Sequence, residues 1–443
     1  MKQFALRNLQ AAIFPIVFCC VALINIGSRI GVHPDEDLHI ASARYFDDHW
    51  LPPVASEAFA PYLDPAYGVS YALSMPPEFV YFYYGRVGRI TEALGGTFAY
   101  GCRHGALILF GLLCAWLMFR RPNHPAFAFI LLATPQVWYV FAYVNGDAWG
   151  IFASFLVVWQ LGYRESLGRK FLDGTSEHAT TAIGPTRSRR VQNALGVVVM
   201  GLALAALVLC KRNYLPFFLY ALVYGTLHVY RDRKKLKRWV AALAVGACLA
   251  GGITLLDEAR NDFAEEQHAL ELREEHAEPP WKQSAIDSGT AMNGLGLKQK
   301  GVPLIALLRK PWNWGEGVFD TFLGVYGPMS IWFPPYEYYL RGAAFVVLAA
   351  FAFYGARKNR LSLVAGIVLA IGIIAAALNF AWTYDFQPQG RYIFAIIPII
   401  ALLWTHDEKP TRWSWAALSV AFLLGYYSML SLGVPELLAA HRM

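Results

Sequence analysis

Arg231-Asp-Arg-Lys-Lys-Leu-Lys-Arg238 stands directly before Trp239-Val-Ala-Ala-Leu-Ala-Val-Gly-Ala-Cys-Leu-Ala-Gly-Gly-Ile-Thr-Leu-Leu256, and Asp257-Glu258 directly follows. The apolar run approaches the roughly 20 residues that a membrane helix needs. Lys and Arg are retained on the inner side of a bilayer, so this segment crosses outward and delivers the acids to the outer face. The same pattern organises the rest of the chain. Apolar segments read at 9–28, 103–119, 125–144, 147–162, 194–210, 214–230, 239–256, 338–354, 361–380, 392–405 and 413–432. Basic connectors at 120–121, 187–190, 231–238, 357–360 and 409–412 separate them at every second junction.

The fold expected is therefore all-α: a polytopic membrane protein of about eleven spans forming one domain over 1–443. Its N-terminus lies inside, behind a first segment read as a retained signal anchor, and its C-terminus near Met443 outside. Ser176, in an inner linker at 163–193, and Gln267, in an outer loop, then face opposite sides. The first outer loop, 29–101, holds an amphipathic surface helix at 37–49 with Leu38, Ala41, Tyr45 and Phe46 as its apolar stripe. The stretch 77–94 reads as an interfacial or partly inserted helix, because a full crossing would carry Glu78, Arg86 and Arg89 into the bilayer. The second outer loop, 257–335, begins with an acid-rich exposed helix at 257–278 and ends in an aromatic, Gly-rich part at 312–332 that packs on the membrane surface.

Composition agrees. Of 443 residues, 56% are hydrophobic and 15% aromatic. The basic side carries 21 of the 38 Lys and Arg but 6 of the 31 acids, so the net charge of +7 is topological and no nucleic acid is implied as a partner. The six cysteines lie in or beside apolar segments with no metal-ligand spacing, which reads as packing. Between the interfaces the spans are nearly free of ionisable residues. That argues against an ion-coupled transporter, which needs charge near the midplane.

The chemistry-bearing motifs fall on the outer side. Asp35-Glu36-Asp37, between His33 and His39, can take a proton from a hydroxyl or bind a divalent cation (Mg or Mn at Asp35/Asp37). It also suits a helix N-terminus. Asp147 follows the Asn145-Gly146 turn and reads either as a cap or as an acid facing Asp35. Lys211-Arg212-Asn213-Tyr214 suits an anionic phosphate. Arg391 opens a helix, where its charge opposes the dipole and calls for an anion, either Asp385 or a ligand. Arg103 opens another in the same way. His268 and His276 read as part of a solvated charged helix.

Taken in order, these residues resemble the GT-C superfamily of polytopic glycosyltransferases that use polyprenyl-phosphate sugars. The pattern is Asp35-Glu36 in the first outer loop, a surface helix, Met75-Pro-Pro-Glu78, an Arg-led span at Arg103 and Asp147 at an outer helix start. Pro34-Asp35-Glu36, Val144-Asn-Gly-Asp147, Lys211-Arg-Asn-Tyr214, Phe322-Leu-Gly-Val-Tyr-Gly327 and Gln389-Gly-Arg-Tyr392 further resemble a bacterial GT-C-like family of predicted membrane proteins. The resemblance implies a bacterial inner-membrane enzyme with its active site on the extracytoplasmic face. It would move one sugar, with inversion, from a polyprenyl phosphate to a hydroxyl of an external glycan, lipid or protein. Asp35 is the implied base, with Glu36 and Asp147 beside it. Lys211, Arg212, Arg391 and Arg103 are the implied phosphate ligands, and His39, Tyr214, Gln389 and Tyr326 the substrate contacts. Asp37 and the two flanking histidines depart from the pattern and keep the cation alternative open. A lipid-linked sugar flippase or exporter, or a glycan polymerase or ligase, is the alternative class.

Overall fold

The computed structural model describes residues 2–174 and 186–439. It is nearly all helix, 72%, and the described residues contain no strand beyond the isolated bridges Leu295↔Asp385 and Tyr326↔Ile331. Ser176, part of the 163–193 linker, and the C-terminal end at 440–443 lie outside the described residues.

Among the described residues, six helices are long and apolar enough to cross a membrane: Phe98–Arg120, Val191–Val208, Arg233–Arg260, Pro335–Ala356, Arg360–Thr383 and Arg412–Ala439. Only 17% of the apolar stretch in Arg360–Thr383 and 22% of that in Arg233–Arg260 is buried by protein. Leu361, Val364, Val368 and Ile371 are all exposed. An apolar face of that extent requires a lipid environment, so the chain is a multi-pass membrane protein.

All eleven expected segments fall on helices, but four of them meet helices shorter than a full span. The first helix runs Lys2–Gly27, 26 residues, whereas Gly390–Trp404 is a shorter apolar helix. Leu215–Val229, at 15 residues, reaches only about 22 Å, less than the ~30 Å hydrocarbon core. Gly146–Gly162 has 17 residues. The segment 125–144 is broken into Pro125–Leu132 and Pro135–Tyr139, since Pro135 supplies no amide and disfavours helix in the residue before it. From Ala126 to Val144 this broken rod is buried throughout, so its apolarity builds the protein core and does not meet lipid.

The bundle has two chemically distinct ends. At one, the basic connectors meet: His124 Nε2 lies 2.8 Å from the Asp407 carbonyl, Arg164 pairs with Glu408, and Lys235 and His228 converge on Asp173 at 3.1 and 2.8 Å. At the other lie Asp35, Glu36, Arg103, Asp147, Lys211 and Arg391. The surface helix Glu36–Tyr45 belongs to this second end and buries Leu38, Ala43 and Tyr45. Phe79–Ala93 packs beside it. Arg86 donates to the Asp47 carbonyl at 3.0 Å and Arg89 pairs with Asp48 at 3.1 Å, which ties both guanidiniums to polar groups of the surface segment.

The acid-rich stretch 257–278 differs from expectation. The membrane helix runs on to Arg260, a turn follows, and Glu265–His276 lies back with Asp257, Glu265, Leu272 and Arg273 buried. Its charge is partly inside because the second loop folds over the site. In the Gly-rich part, Trp314–Gly324 buries Trp314, Val318 and Phe322. Gly390 packs so tightly against it that a Cβ there would collide with the Phe322 amide. The Gly390 N–H donates to Thr321 Oγ1 at 2.7 Å, and this seat aims Arg391.

Candidate active site

Asp35 takes a left-handed backbone conformation, φ 55°, which a non-glycine residue adopts at a cost. It stands at the N-cap of the surface helix, yet its side chain caps nothing. Its Oδ2 instead accepts from Arg391 Nη2 at 2.7 Å. Asp147 is likewise freed from capping, because Asn145 Oδ1 accepts from the Ala148 amide at 3.0 Å. Asp147 is fully buried and accepts from Lys211 Nζ at 3.0 Å. Both carboxylates are therefore committed to cations of other segments and not to their own helix ends. Arg391 finds Asp35 as its anion; Asp385 takes Gln387 Nε2 at 2.5 Å.

Asp35, Lys211 and Arg391 line a chamber of about 470 Å³, with Asp147 behind Lys211, a volume suited to a small ligand. Its wall includes Asp35, Glu78, Lys211, Arg212, Asp385 and Arg391, with Tyr71, Tyr384 and Tyr392 between them. Arg391 is 6% exposed, and its buried Nε and Nη1 have no hydrogen-bond partner among the described residues. Buried donors are nearly always satisfied, so the unpaired nitrogens of this guanidinium beside the chamber leave hydrogen-bonding capacity that an anion could use. Lys211 Nζ lies 5.2 Å from the Tyr392 ring centre, and Arg212 Nε donates to the Met75 carbonyl. Burial alone would raise the Asp35 carboxyl, but Arg391 and Lys211 outweigh it and hold Asp35 below the usual carboxylate range.

The remaining expected residues lie behind this wall. Arg103 and Glu36 are fully buried on one another, at 2.8 and 2.5 Å, and Arg103 also donates to the Ser28 carbonyl at 2.6 Å and that of Arg29 at 2.9 Å. Saturated in this way, Arg103 fastens the first loop to its helix and has no donor left to offer a phosphate. Arg103→Met should cost about 3–5 kcal/mol of stability by leaving Glu36 buried without its cation. Thermal unfolding in detergent measures it; an unchanged midpoint would contradict the fastening role. His39 bonds the Tyr81 hydroxyl at 2.8 Å and stacks on Tyr71 at 4.5 Å, and burial drives its pKa well down, so it is neutral. Gln389 reaches the chamber only through Gln387, at 3.3 Å. Tyr214 and Tyr326 are fully buried, bonded at 3.4 Å to the Asp147 carbonyl and to Ser428 Oγ.

The cation alternative is not supported by the donor set. Asp37 is exposed and Asp35 is engaged by Arg391. His33 is buried, with both ring nitrogens on Ser28 and Tyr139. No group of three or more candidate ligands is gathered among the described residues.

Two chamber residues were not read as site residues in the sequence. Arg273, 4% exposed, bonds the Trp281 carbonyl at 3.0 Å and the Tyr384 hydroxyl, bringing the second loop onto the chamber. Glu78 follows Pro76-Pro77 as a lone acid; its only signal was that position before a helix.

Fold and site together define a multi-pass membrane protein with a polar, cation-lined chamber at one end of its bundle. Residues 69–400 match the family described as predicted membrane protein (DUF2142), and the chain belongs to that family. No curated protein and no solved structure matches it.

Proposed function

We propose that this protein is a glycosyltransferase that moves a single sugar from a polyprenyl-phosphate donor to a hydroxyl acceptor, with inversion, at the extracytoplasmic face of a bacterial inner membrane. The unpaired N–H groups of buried Arg391 beside the chamber carry the reading, because they have capacity left to receive an anion. A second cavity, about 270 Å³, supports a lipid-linked anion in particular. It is lined by Pro216, Ile373, Ala376, Ala377 and Phe380 from helices Leu215–Val229 and Arg360–Thr383, and shares Arg212, Asn213, Phe380 and Tyr392 with the chamber. An apolar groove between membrane helices that leads to cations suits an isoprenoid chain with a phosphate head.

In the reaction the sugar ring gains positive charge and the phosphate gains negative charge. Arg391, Lys211 and Arg212 stabilise the phosphate, Asp147 orients Lys211, and ionised Asp35, oriented by Arg391, receives the hydrogen bond of the acceptor hydroxyl. Purified protein in nanodiscs should bind undecaprenyl phosphate at least about 10-fold more tightly than undecaprenol, as expected for a charge-assisted contact. Equal binding of the two lipids would overturn the assignment.

A further inference from the structure

Asp35 solves only half of the proton problem. Paired with Arg391 and held below the ordinary carboxylate range, it is well placed to orient a hydroxyl but poorly suited to keep its proton at neutral pH. Of the three carboxyls on the chamber wall, Asp35 is engaged by Arg391 and Asp385 by Gln387. Glu78 is the third. It is half-buried, its Oε2 is buried with no hydrogen-bond partner among the described residues, and it forms no cap bond although it stands at the N-cap of Phe79–Ala93.

The local structure holds Glu78 in place. The Phe79 amide donates to the Leu209 carbonyl at 3.2 Å, docking the start of this helix just before Lys211. Opposite it is Gly146, where a Cβ would come within 2.6 Å of Glu78 Oε2 and 3.6 Å of the Lys211 side chain. The Asn-Gly-Asp turn thus leaves room for the carboxyl beside Lys211. An apolar side chain would fill that space without the cost of burying an acid.

Resting on the glycosyl-transfer reading, we infer that Glu78 is a second catalytic carboxyl, which receives the proton lost by the acceptor hydroxyl. In the step, the acceptor oxygen bonds to the anomeric carbon. The bond from that carbon to the phosphate oxygen breaks, its electron pair stays on the phosphate, and the proton passes to the Glu78 carboxylate and then to water. Taking the proton neutralises Glu78 beside Lys211 as the phosphate gains charge, so Lys211 is released to the leaving group when it is needed. Burial, reinforced by Asp147 against the opposing effect of Lys211, pushes the Glu78 carboxyl up to about 7, in the range for a base at neutral pH. The charged groups that act on it are Lys211, Asp147 and Arg212. The titratable Tyr71, Tyr81 and Cys210 also face it, and burial keeps them protonated.

The test uses the full-length protein in nanodiscs, with undecaprenyl phosphate as ligand and, for turnover, polyprenyl-phosphate sugars extracted from the host membrane with that membrane as acceptor. Wild-type affinity for undecaprenyl phosphate should fall several-fold, relative to Glu78→Gln, as pH rises through about 7. Ionised Glu78 then competes with the ligand for Lys211, and dividing by the Glu78→Gln profile removes the ligand's own ionisation. Asp35→Asn should keep that inflection. Glu78→Gln should release polyprenyl phosphate about 100-fold more slowly, and Glu78→Asp should recover part of the rate. Superimposable binding profiles for wild type and Glu78→Gln, or normal turnover by Glu78→Gln, would overturn the role of Glu78 and leave the transferase reading standing. A wild-type protein that neither binds the phosphate lipid nor releases it from the donor would overturn both.

Discussion

Asp35→Asn should lower turnover by about 100-fold or more while the protein still folds and still binds lipid phosphate. The substitution preserves size, and asparagine tolerates the left-handed conformation at φ 55° better than most residues. What disappears is the negative charge that Arg391 orients at 2.7 Å. With that charge gone, Arg391 has one competitor fewer for the phosphate, so affinity for undecaprenyl phosphate should hold or rise as turnover falls. A paired measurement of turnover and lipid binding separates this outcome from simple damage, which would lower both. Near-normal turnover would remove Asp35 from the chemistry and move the role to another carboxyl at this end of the bundle.

Arg391→Ala should cost about 2–4 kcal/mol of transition-state stabilisation, the usual loss for one electrostatic donor, which is roughly 30- to 1000-fold in rate. Here the lipid phosphate should also bind more weakly, because the lost side chain carries the open N–H groups of the chamber wall. The pH dependence shifts as well. Arg391 is the strongest of the effects that oppose burial at Asp35. Without it burial prevails, the Asp35 carboxyl moves up, and the acid limb of the pH–rate profile moves to higher pH. Phosphate binding and turnover both equal to wild type would make Arg391 a structural residue.

The separation of the two ends was legible in the sequence because it is written in local charge: each basic connector sits beside its apolar run, and the positive-inside rule needs nothing distant. Part of the shortfall in full-length spans arose at 125–144, where continuous apolarity reads the same whether the segment faces lipid or forms the protein core. Pro135 was the visible sign of the break. Asp35, Asp147, Lys211, Arg212 and Arg391 were found as types that suit the chemistry, but not as pairs. Asp35 and Arg391 are 356 residues apart, and no local pattern joins them. Arg103 and Glu36 were found but read for the wrong task, since only the fold shows that each exhausts the other. Arg273 was lost in an acid-rich helix whose composition suggests solvent, and Glu78 was read only as part of a motif, because a lone acid after two prolines carries no local sign of Gly146 and Lys211 beside it.

The central claim is a transfer of sugar from lipid phosphate, and the most direct measurement follows both products of that step. Purified protein, reconstituted with polyprenyl-phosphate sugars from the host membrane and with that membrane as acceptor, should release polyprenyl phosphate. It should form a glycoside of inverted anomeric configuration and leave nucleotide sugars unused. Movement of intact lipid-linked sugar across the bilayer without cleavage, or assembly of a processive polymer in place of single-sugar transfer, would contradict it.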